Sequence, residues 1–318
     1  MPPDLSSHTD HTAKCSMIWI VSDDKPGHLN QSLGLAEALC ALDSHVRYVV
    51  LSVKDAWISL LRADARPALI ISAGRQTHLI NVLLARRFRA KNLVLMRPSL
   101  PSHWFDLCLI PEHDQPKTAP HIVTTVGALN RMQSAIKVPN SALILVGGPS
   151  KHFEWSSETV ACAIGRVINT NPSLSFQIAT SRRTPQKLVD QLSSKHKSLV
   201  VTPESVGSSW LSSTLPTTEY AWVTSDSASM VYEALSAGAL VRLIHLKANS
   251  NSRVARGVLS LQAAGLVDTG AAGSSSPNSG NTSPSGPEAL DSDVQATLAQ
   301  PLIEARRVAT LILKKGWL

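Results

Sequence analysis

Short, continuous apolar runs alternate with helical patterns along most of this chain, from Met17 to about Val267. Continuous runs of this kind suit parallel strands that are covered on both faces, because half-exposed antiparallel strands alternate apolar and polar residues. The repeated strand–helix order therefore predicts βαβ units and doubly wound parallel sheets. Ten runs are predicted strands: 17–22, 46–52, 68–72, 92–97, 106–110, 142–147, 174–179, 197–202, 219–224 and 239–245.

The strand–helix pattern restarts at Ser141, after the break at Pro139 and Asn140. A length of 318 residues also favours two domains. We therefore predict an α/β protein with two Rossmann-like domains, which face a ligand-binding cleft. The predicted segments are a disordered tail at 1–16, the domains at 17–140 and 141–269, a flexible Ser/Gly/Pro insert at 270–287 and a closing C-terminal helix within 288–318.

The composition limits the class of partner. The formal net charge is +7, which suits an anionic ligand, an acidic membrane surface or nucleic acid. No basic stripe interleaved with aromatic residues is present, and this disfavours nucleic acid as a partner. The four cysteines form no CxxC pair, so we expect buried free thiols in a reducing compartment and no zinc site.

The loop after the first strand reads SDDKPGHLNQS and crowds titratable side chains at a strand end. There His28 or an adjacent Asp is a candidate general base, while Gly27 permits a tight turn before a helix that opens at Leu29 to Ser32. The alternative is that Asp23 or Asp24 caps a helix and His28 is an exposed loop residue. The candidate residues are Asp24, Lys25 and His28 for catalysis, and Gly27, Asn30 and Gln31 for substrate binding.

The loop after the third strand contains Gly74 and Arg75 before another helix. Arg75 either faces an anion across the cleft or is a solvated loop arginine. We include both residues among the candidates for substrate binding.

Two loops in the second half offer groups for a diphosphate. Gly147 and Gly148 allow backbone amides to approach a ligand, and Ser150 and Lys151 add a hydroxyl and a cation. An ordinary Gly-rich turn is the alternative, because the GxxxxGK[ST] spacing is absent. After the next strand, the paired guanidinium groups at 182–183 suit phosphate oxygens, although a solvated basic turn also explains them. The residues of that pair are Arg182 and Arg183.

The stretch VTSDSASMVYEALSAG places several polar side chains at the start of a predicted helix that ends at Gly238. Hydroxyl groups and free amides at such a position can hold a phosphate, and Glu233 can accept hydrogen bonds from ribose hydroxyls. The alternative is an N-cap with an exposed helical glutamate. The candidates here are Ser225, Asp226, Ser227, Ser229 and Glu233.

Seven stretches together resemble the mitochondrial-fission "elongate mitochondria" family, whose bacterial members are often described as glycosyltransferases. They cover roughly Met17 to Val267 and occur in the order GHLNQSLGLAEAL, ISAGRQT, FDLCLIPEHD, VGALN, LVGGPSKHFEW, TSRRTP and VTSDSASMVYEALSAG. That family is similar in layout to GT-B glycosyltransferases such as the lipid-II N-acetylglucosaminyltransferase. Residues that match the motifs of those enzymes are Gly27, His28, Gly147, Gly148, Ser150, Ser227, Ser229, Glu233, Ala234 and Gly238.

The resemblance implies an inverting, metal-independent transferase that needs no cofactor and takes a nucleotide-diphosphate sugar as its donor substrate. It implies that His28 lies near the acceptor and the donor phosphates, and that Glu233 binds the donor ribose. A glycolipid or another cell-envelope molecule would be the acceptor. We therefore expect a cytoplasmic protein with peripheral contact at the inner, anionic face of the membrane.

Two other functions remain open at this point. The first is a non-catalytic adaptor or binding protein that keeps the fold, as plant members of the family recruit a partner protein. The second is a nucleotide-sugar epimerase. Such an enzyme would need a GxGxxG loop for NAD after a strand, and the sequence contains none.

Overall fold

The computed structural model describes residues 15–61, 66–207, 209–249, 252–268 and 301–318. The predicted tail up to residue 14, the predicted insert at 270–287 and residues 288–300 lie outside this part of the chain. Two compact units are present. The first comprises Met1–Leu109, Ala119–Val123 and Ala305–Leu318, and the second comprises Ile110–Thr118 and Thr124–Glu304.

Six strands form the first sheet, in the order β2-β1-β3-β4-β5-β6. The pairs β1–β2, β1–β3, β3–β4 and β4–β5 are all parallel. The strands are β1 (Ser16–Ser22), β2 (Val46–Ser52), β3 (Leu69–Ala73), β4 (Lys91–Leu95), β5 (Leu107–Pro111) and β6 (Ile122–Thr125). Helices α1 (Pro26–Leu42), α2 (Val53–Leu61) and α3 (His78–Phe88) connect the first four strands.

Five strands form the second sheet, in the order β11-β10-β7-β8-β9, and all four of its strand pairs are parallel. These strands are β7 (Val138–Val146), β8 (Ser175–Thr180), β9 (Val200–Val201), β10 (Thr218–Thr224) and β11 (Leu240–Ile244). The other α-helices within the described residues are α4 (Ser157–Thr170), α5 (Gln186–His196), α6 (Trp210–Thr214), α7 (Ala228–Ser236), α8 (Arg253–Ala263) and α9 (Glu304–Lys314).

The predicted fold class, a mixed α/β protein with two parallel sheets, is confirmed. Each of the ten predicted runs overlaps a strand, but β6 was missed because its sequence IVTT is short and half polar. Strand β7 begins at Val138, so the predicted restart at Ser141 lies inside it. The expectation of buried thiols was wrong for Cys15 and Cys162, which are exposed.

Burial of both sheet faces explains why the strands read as continuous apolar runs. On one face of the second sheet, Ile144 and Ile178 pack with side chains of α4 and α5 such as Val160. On the other face, Leu143 and Leu145 pack with side chains of α7 and α8. A strand in this position can carry polar residues only at its ends.

Each sheet has a point at which the strand order reverses. In the first sheet the chain leaves β1 for β2 on one side and later returns to β3 on the other. In the second sheet it runs from β7 through β8 to β9, then returns to β10 on the opposite side of β7. Ligands of open α/β sheets bind beyond the carboxyl ends of the strands at such points. The loops after β1 and β3, and those after β7 and β10, therefore have the positions expected of functional loops.

Within the part of the chain that the structure describes, every helix is too short or too polar to cross a bilayer.

The burial of Ile144 in the second unit gives a first prediction. Ile144→Ala should lower the free energy of unfolding by about 2–5 kcal/mol, because it removes a fully buried side chain and leaves a cavity. Ile136 is 92% exposed, so Ile136→Ala should change stability by less than about 0.5 kcal/mol. Urea unfolding followed by circular dichroism measures both values. Similar losses in the two variants would show that β7 does not lie in the core.

Candidate functional site

The loop after β1 holds a buried carboxylate against an imidazole. Both carboxylate oxygens of Asp23 lie 3.0 Å from Nδ1 of His28, and the Asp23 side chain has no solvent exposure. The Lys25 ammonium lies 3.4 Å from the same carboxylate. Burial, the largest influence, raises the pKa of Asp23, but the hydrogen bond and the charge of His28 outweigh it and hold the pKa below its usual 3.8. Asp23 is therefore a carboxylate.

An ionised Asp23 determines which nitrogen of His28 carries the proton. A carboxylate accepts hydrogen bonds only, so Nδ1 of His28 must donate. In the neutral imidazole, Nε2 is then an unprotonated acceptor. The His28 side chain is 24% exposed, so it can reach a substrate. This arrangement of carboxylate and imidazole is suited to general-base catalysis.

The backbone behind the pair comes from the loop after β3. Gly74 has a φ of +93°, and a Cβ at this position would overlap Nδ1 of His28 and lie 2.7 Å from Oδ2 of Asp23. Only glycine allows the loop this close to the pair. Gly74 thus lets the backbone of the loop after β3 pack directly against the Asp23–His28 pair.

The predicted role of Gly27 as a turn residue was wrong. Helix α1 already begins at Pro26, so Gly27 lies in its first turn, and a Cβ there would meet nothing within 4 Å. The turn is made by Asp24, whose φ is 59°. The Asp24 amide donates to the Ser22 hydroxyl, and Asp24 is itself exposed.

The other candidate residues of the first unit are exposed or half-buried. Lys25 and Arg75 are exposed, and Asn30 and Gln31 are half-buried on α1. The Gln31 amide lies 3.7 Å from the sulfur of Met96, the residue after β4.

Sequence reasoning missed His78, which begins α3 and is almost fully buried. Its Nδ1 accepts from the Ser99 amide at 3.0 Å, so its proton sits on Nε2, which has no hydrogen-bond partner among the described residues. Burial and the nearby charge of His28 lower the pKa of His78 to about 4. His78 therefore stays neutral at pH 7 and does not compete with His28 as a base.

In the second unit, Asp226 ties together the loops after β7, β8 and β10. Its Oδ2 accepts from the Gly148 amide at 3.0 Å and lies 3.1 Å from the Arg183 guanidinium. Arg183 also donates to the carbonyl of Gly148, at 3.1 Å. The Asp226 side chain has no solvent exposure, while that of Arg183 is 45% exposed.

This network changes the interpretation of the Gly147–Gly148 loop. The Gly148 amide, expected to approach a phosphate, is engaged by Asp226, and the Gly147 amide donates to Thr224 at 2.8 Å. A Cβ on Gly148 would overlap the Arg183 carbonyl. Gly147 and Gly148 therefore allow the loops to pack closely. The part of this network that is accessible to a ligand is the exposed portion of Arg183.

The residues that open α7 divide into buried and accessible groups. Ser225 and Ser227 are buried, and the Ser225 hydroxyl accepts from the Leu246 amide at 2.9 Å. Ser227 occupies the N-cap position, but its side chain forms no capping hydrogen bond. Ser229 is exposed. Gly238 has the positive φ of 74° that was expected at the end of this helix.

Glu233 is half-buried on α7, and burial raises its pKa to about 7. No hydrogen bond or ion pair to its carboxylate is formed within the described part of the chain. A desolvated carboxyl group without a partner is costly unless a ligand supplies one. Glu233 therefore fits a role in binding hydroxyl groups.

The remaining candidates lie on exposed loops. Lys151 and Arg182 are exposed, and Ser150 is half-buried, where its hydroxyl accepts from the His152 amide at 3.3 Å.

Asp23 and Thr224 could have been selected from their positions at the ends of β1 and β10. His78 carried no comparable signal, because a histidine inside a helical pattern is more often an ordinary packed residue.

The family model described as Mitochondrial fission ELM1 matches residues 26–315 of this chain. The uncharacterized protein RP120 of Rickettsia prowazekii (strain Madrid E) is 24% identical over 287 residues, which cover 70% of this chain and 81% of that protein.

The chain also has a fold similar to that of several solved structures, among them the following two. A Listeria monocytogenes protein assigned as a UDP-N-acetylglucosamine 2-epimerase has a TM-score of 0.60 at 11% identity, with 95% of each chain covered. The S. aureus MnaA protein, solved with UDP, has a TM-score of 0.50 at 12% identity, with 95% of this chain and 98% of that chain covered. At such low identity the likeness concerns the fold alone.

The close contact at Gly74 gives a second prediction. Gly74→Ala should destabilise the first unit by about 1–3 kcal/mol for the backbone strain, and by more if the Asp23–His28 pair is displaced. Gly165 lies in α4 with open space around it, so Gly165→Ala should stabilise by up to about 1 kcal/mol. Thermal unfolding measures the stability of both variants. If Gly74→Ala is as stable as the wild type, the loop after β3 lies further from the Asp23–His28 pair than the structure shows.

The raised pKa of Glu233 gives a third prediction. Between its usual 4.5 and about 7, the unfolded chain has lost the proton that the folded chain keeps, so the wild type loses stability as pH rises. Glu233→Gln removes this loss. The stability difference, variant minus wild type, should grow by up to about 3 kcal/mol from pH 5 to pH 8.

The matched control is Glu158→Gln. The hydrogen bond and charge of Lys187 lower the pKa of Glu158 from its usual 4.5, so folded Glu158 does not retain its proton above that pH as Glu233 does. Its stability difference should therefore stay flat from pH 5 to pH 8 in the same unfolding series. If the stability difference of Glu233→Gln also stays constant over this pH range, the carboxyl group of Glu233 is solvated in the wild type and its pKa is not raised.

Proposed function

The chain belongs to the mitochondrial fission ELM1 family, and from that premise we propose that it is a glycosyltransferase whose donor is a nucleotide-diphosphate sugar. The Asp23–His28 pair carries this proposal. A buried carboxylate at 3.0 Å from Nδ1 leaves Nε2 of a partly exposed imidazole ready to accept a proton.

The proposed reaction is a single displacement. Nε2 of His28 takes the proton of an acceptor hydroxyl while the hydroxyl oxygen forms a bond to the anomeric carbon of the donor sugar. The bond from that carbon to the diphosphate breaks, and the nucleoside diphosphate leaves with the electron pair. Asp23 stabilises the imidazolium that forms.

Donor binding is assigned to the second unit. Lys151, Arg182 and the exposed part of Arg183 are cations on the loops after β7 and β8, and they suit the negative charge that develops on a leaving diphosphate. Glu233 is assigned to the ribose hydroxyls. The S. aureus MnaA structure contains UDP, which makes UDP-sugars the first donors to test.

The acceptor is assigned to the cell envelope, as a glycolipid or another molecule at an anionic membrane surface. A basic protein with a net charge of +7 is attracted to such a surface.

An epimerase is the second candidate, since the Listeria monocytogenes protein of similar fold is assigned as a UDP-N-acetylglucosamine 2-epimerase. The two activities differ in their products. Without an acceptor, a transferase releases UDP and free sugar by slow hydrolysis of its donor, whereas an epimerase returns an epimeric UDP-sugar. Chromatography of the products separates these outcomes. If neither forms and nothing binds, a non-catalytic adaptor is favoured.

The fourth prediction concerns His28. His28→Ala should lower donor turnover about 10²–10⁴-fold, because it removes the general base. Donor binding should persist, since it is assigned to the other unit. A donor at about 100 times its dissociation constant should still stabilise the variant by about 2.7 kcal/mol. The measurements are UDP release and thermal unfolding over a panel of nucleotide sugars.

His45→Ala is the matched control, because His45 is exposed just before β2 and lies outside the loop that holds His28. It should retain wild-type turnover. Asp23→Asn should lower turnover while keeping the size of the side chain. Full activity in His28→Ala would show that His28 is not the general base.

A further inference from the structure

Helices α2 and α3 cover one face of the first sheet and present an unusual outer surface. Their inner sides pack over Trp19 and Ile70 through Ala56 of α2 and Ile80 and Leu84 of α3. Their outer sides carry exposed apolar side chains and cations together. We call this surface the helical outer face and define it by Lys54, Trp57, Ile58, Leu61, Leu79 and Arg86.

The spacing places these residues on one side of each helix. Positions 54, 57, 58 and 61 follow the i, i+3, i+4, i+7 pattern of one helical face, and positions 79 and 86 are seven apart. Leu61 is 87% exposed and Leu79 is 49% exposed, although each helix already has a buried apolar side. Several exposed apolar side chains on neighbouring helices are a feature of interaction sites.

The charges identify the partner. Lys54 lies within the apolar stripe of α2, and Arg86 and Arg87 are exposed at the end of α3. Arg86 also lies over the ring of Trp104, itself partly exposed, at 5.5 Å. Among the described residues of α2, the acid beside the stripe is Asp55, and its carboxylate accepts from the Ser52 hydroxyl at 2.8 Å. Residues 15–109 hold eleven Lys or Arg against seven Asp or Glu.

We propose that the helical outer face docks on an anionic lipid bilayer, with Trp57, Ile58 and Leu61 entering the interface and Lys54 and Arg86 contacting lipid phosphates. Tryptophan and leucine beside basic residues are typical of helices that lie in the plane of a membrane surface. A second copy of the chain fits less well, since a two-fold contact would bring these cations against one another. This docking does not depend on sugar transfer.

The test compares vesicle flotation of the full chain and of Trp57→Ser/Leu61→Ser. The wild type should float with vesicles of equal parts phosphatidylethanolamine and phosphatidylglycerol, and much less with phosphatidylcholine. The double variant should partition at least about tenfold more weakly, because two apolar side chains no longer enter the interface. Its thermal unfolding should match the wild type, since both side chains are exposed.

Leu259→Ser is the matched control, because Leu259 is 57% exposed on α8 in the second unit. It should float as the wild type does. Lys54→Glu should weaken binding to the anionic vesicles alone, and added salt should have the same effect.

Three results would overturn the proposal. One is a wild type that floats with neither vesicle, and another is a double variant that floats as well as the wild type. The third is a dimer, by light scattering, that the double variant converts to monomer, since the face would then join two copies. None of these results bears on turnover at His28, which is measured with soluble donors.

Discussion

Parallel strands that are buried on both faces can place polar side chains only at their ends, and the chemistry of this chain follows from that constraint. Strand β7 packs against helices on each side through Leu143 and Ile144. Strand β1 likewise has a fully buried apolar centre. The first polar residues after such strands therefore gather at the carboxyl ends, where the strand order of each sheet reverses.

In each unit an aspartate whose side chain has no solvent exposure lies near that position, and its hydrogen bonds organise the surrounding loops. Asp23 orients His28, whereas Asp226 holds Gly148 and Arg183. A buried carboxylate must find donors, because its desolvation is otherwise too costly. In the first unit the donors include a titratable ring, that of His28, which suits proton transfer. In the second unit the donors are an amide and a guanidinium, which suits loop positioning and anion binding.

The proposed membrane docking and the proposed general base both concern the first unit. Its helical outer face is assigned to an anionic bilayer, and its Asp23–His28 pair is assigned to an acceptor hydroxyl. A unit that docks on lipid and activates a hydroxyl is suited to an acceptor that resides in the membrane. The exposed cations of the second unit are then left for the donor diphosphate.

The sequence by itself determined the fold class, the approximate strands and the loops that carry polar groups, because burial on both faces leaves a continuous apolar pattern that is local in the chain. It also pointed to His28, since a histidine after a buried strand is conspicuous. Tertiary structure alone decided which groups meet. Asp23 rather than Asp24 pairs with His28, and Asp226 takes the Gly148 amide that was expected to face a phosphate. Gly148 and Asp226 lie 78 positions apart in the sequence, so only packing can bring them together. The choice of Asp23 over Asp24 depends on the backbone of one loop, in which Asp24 has a φ of 59° and is exposed.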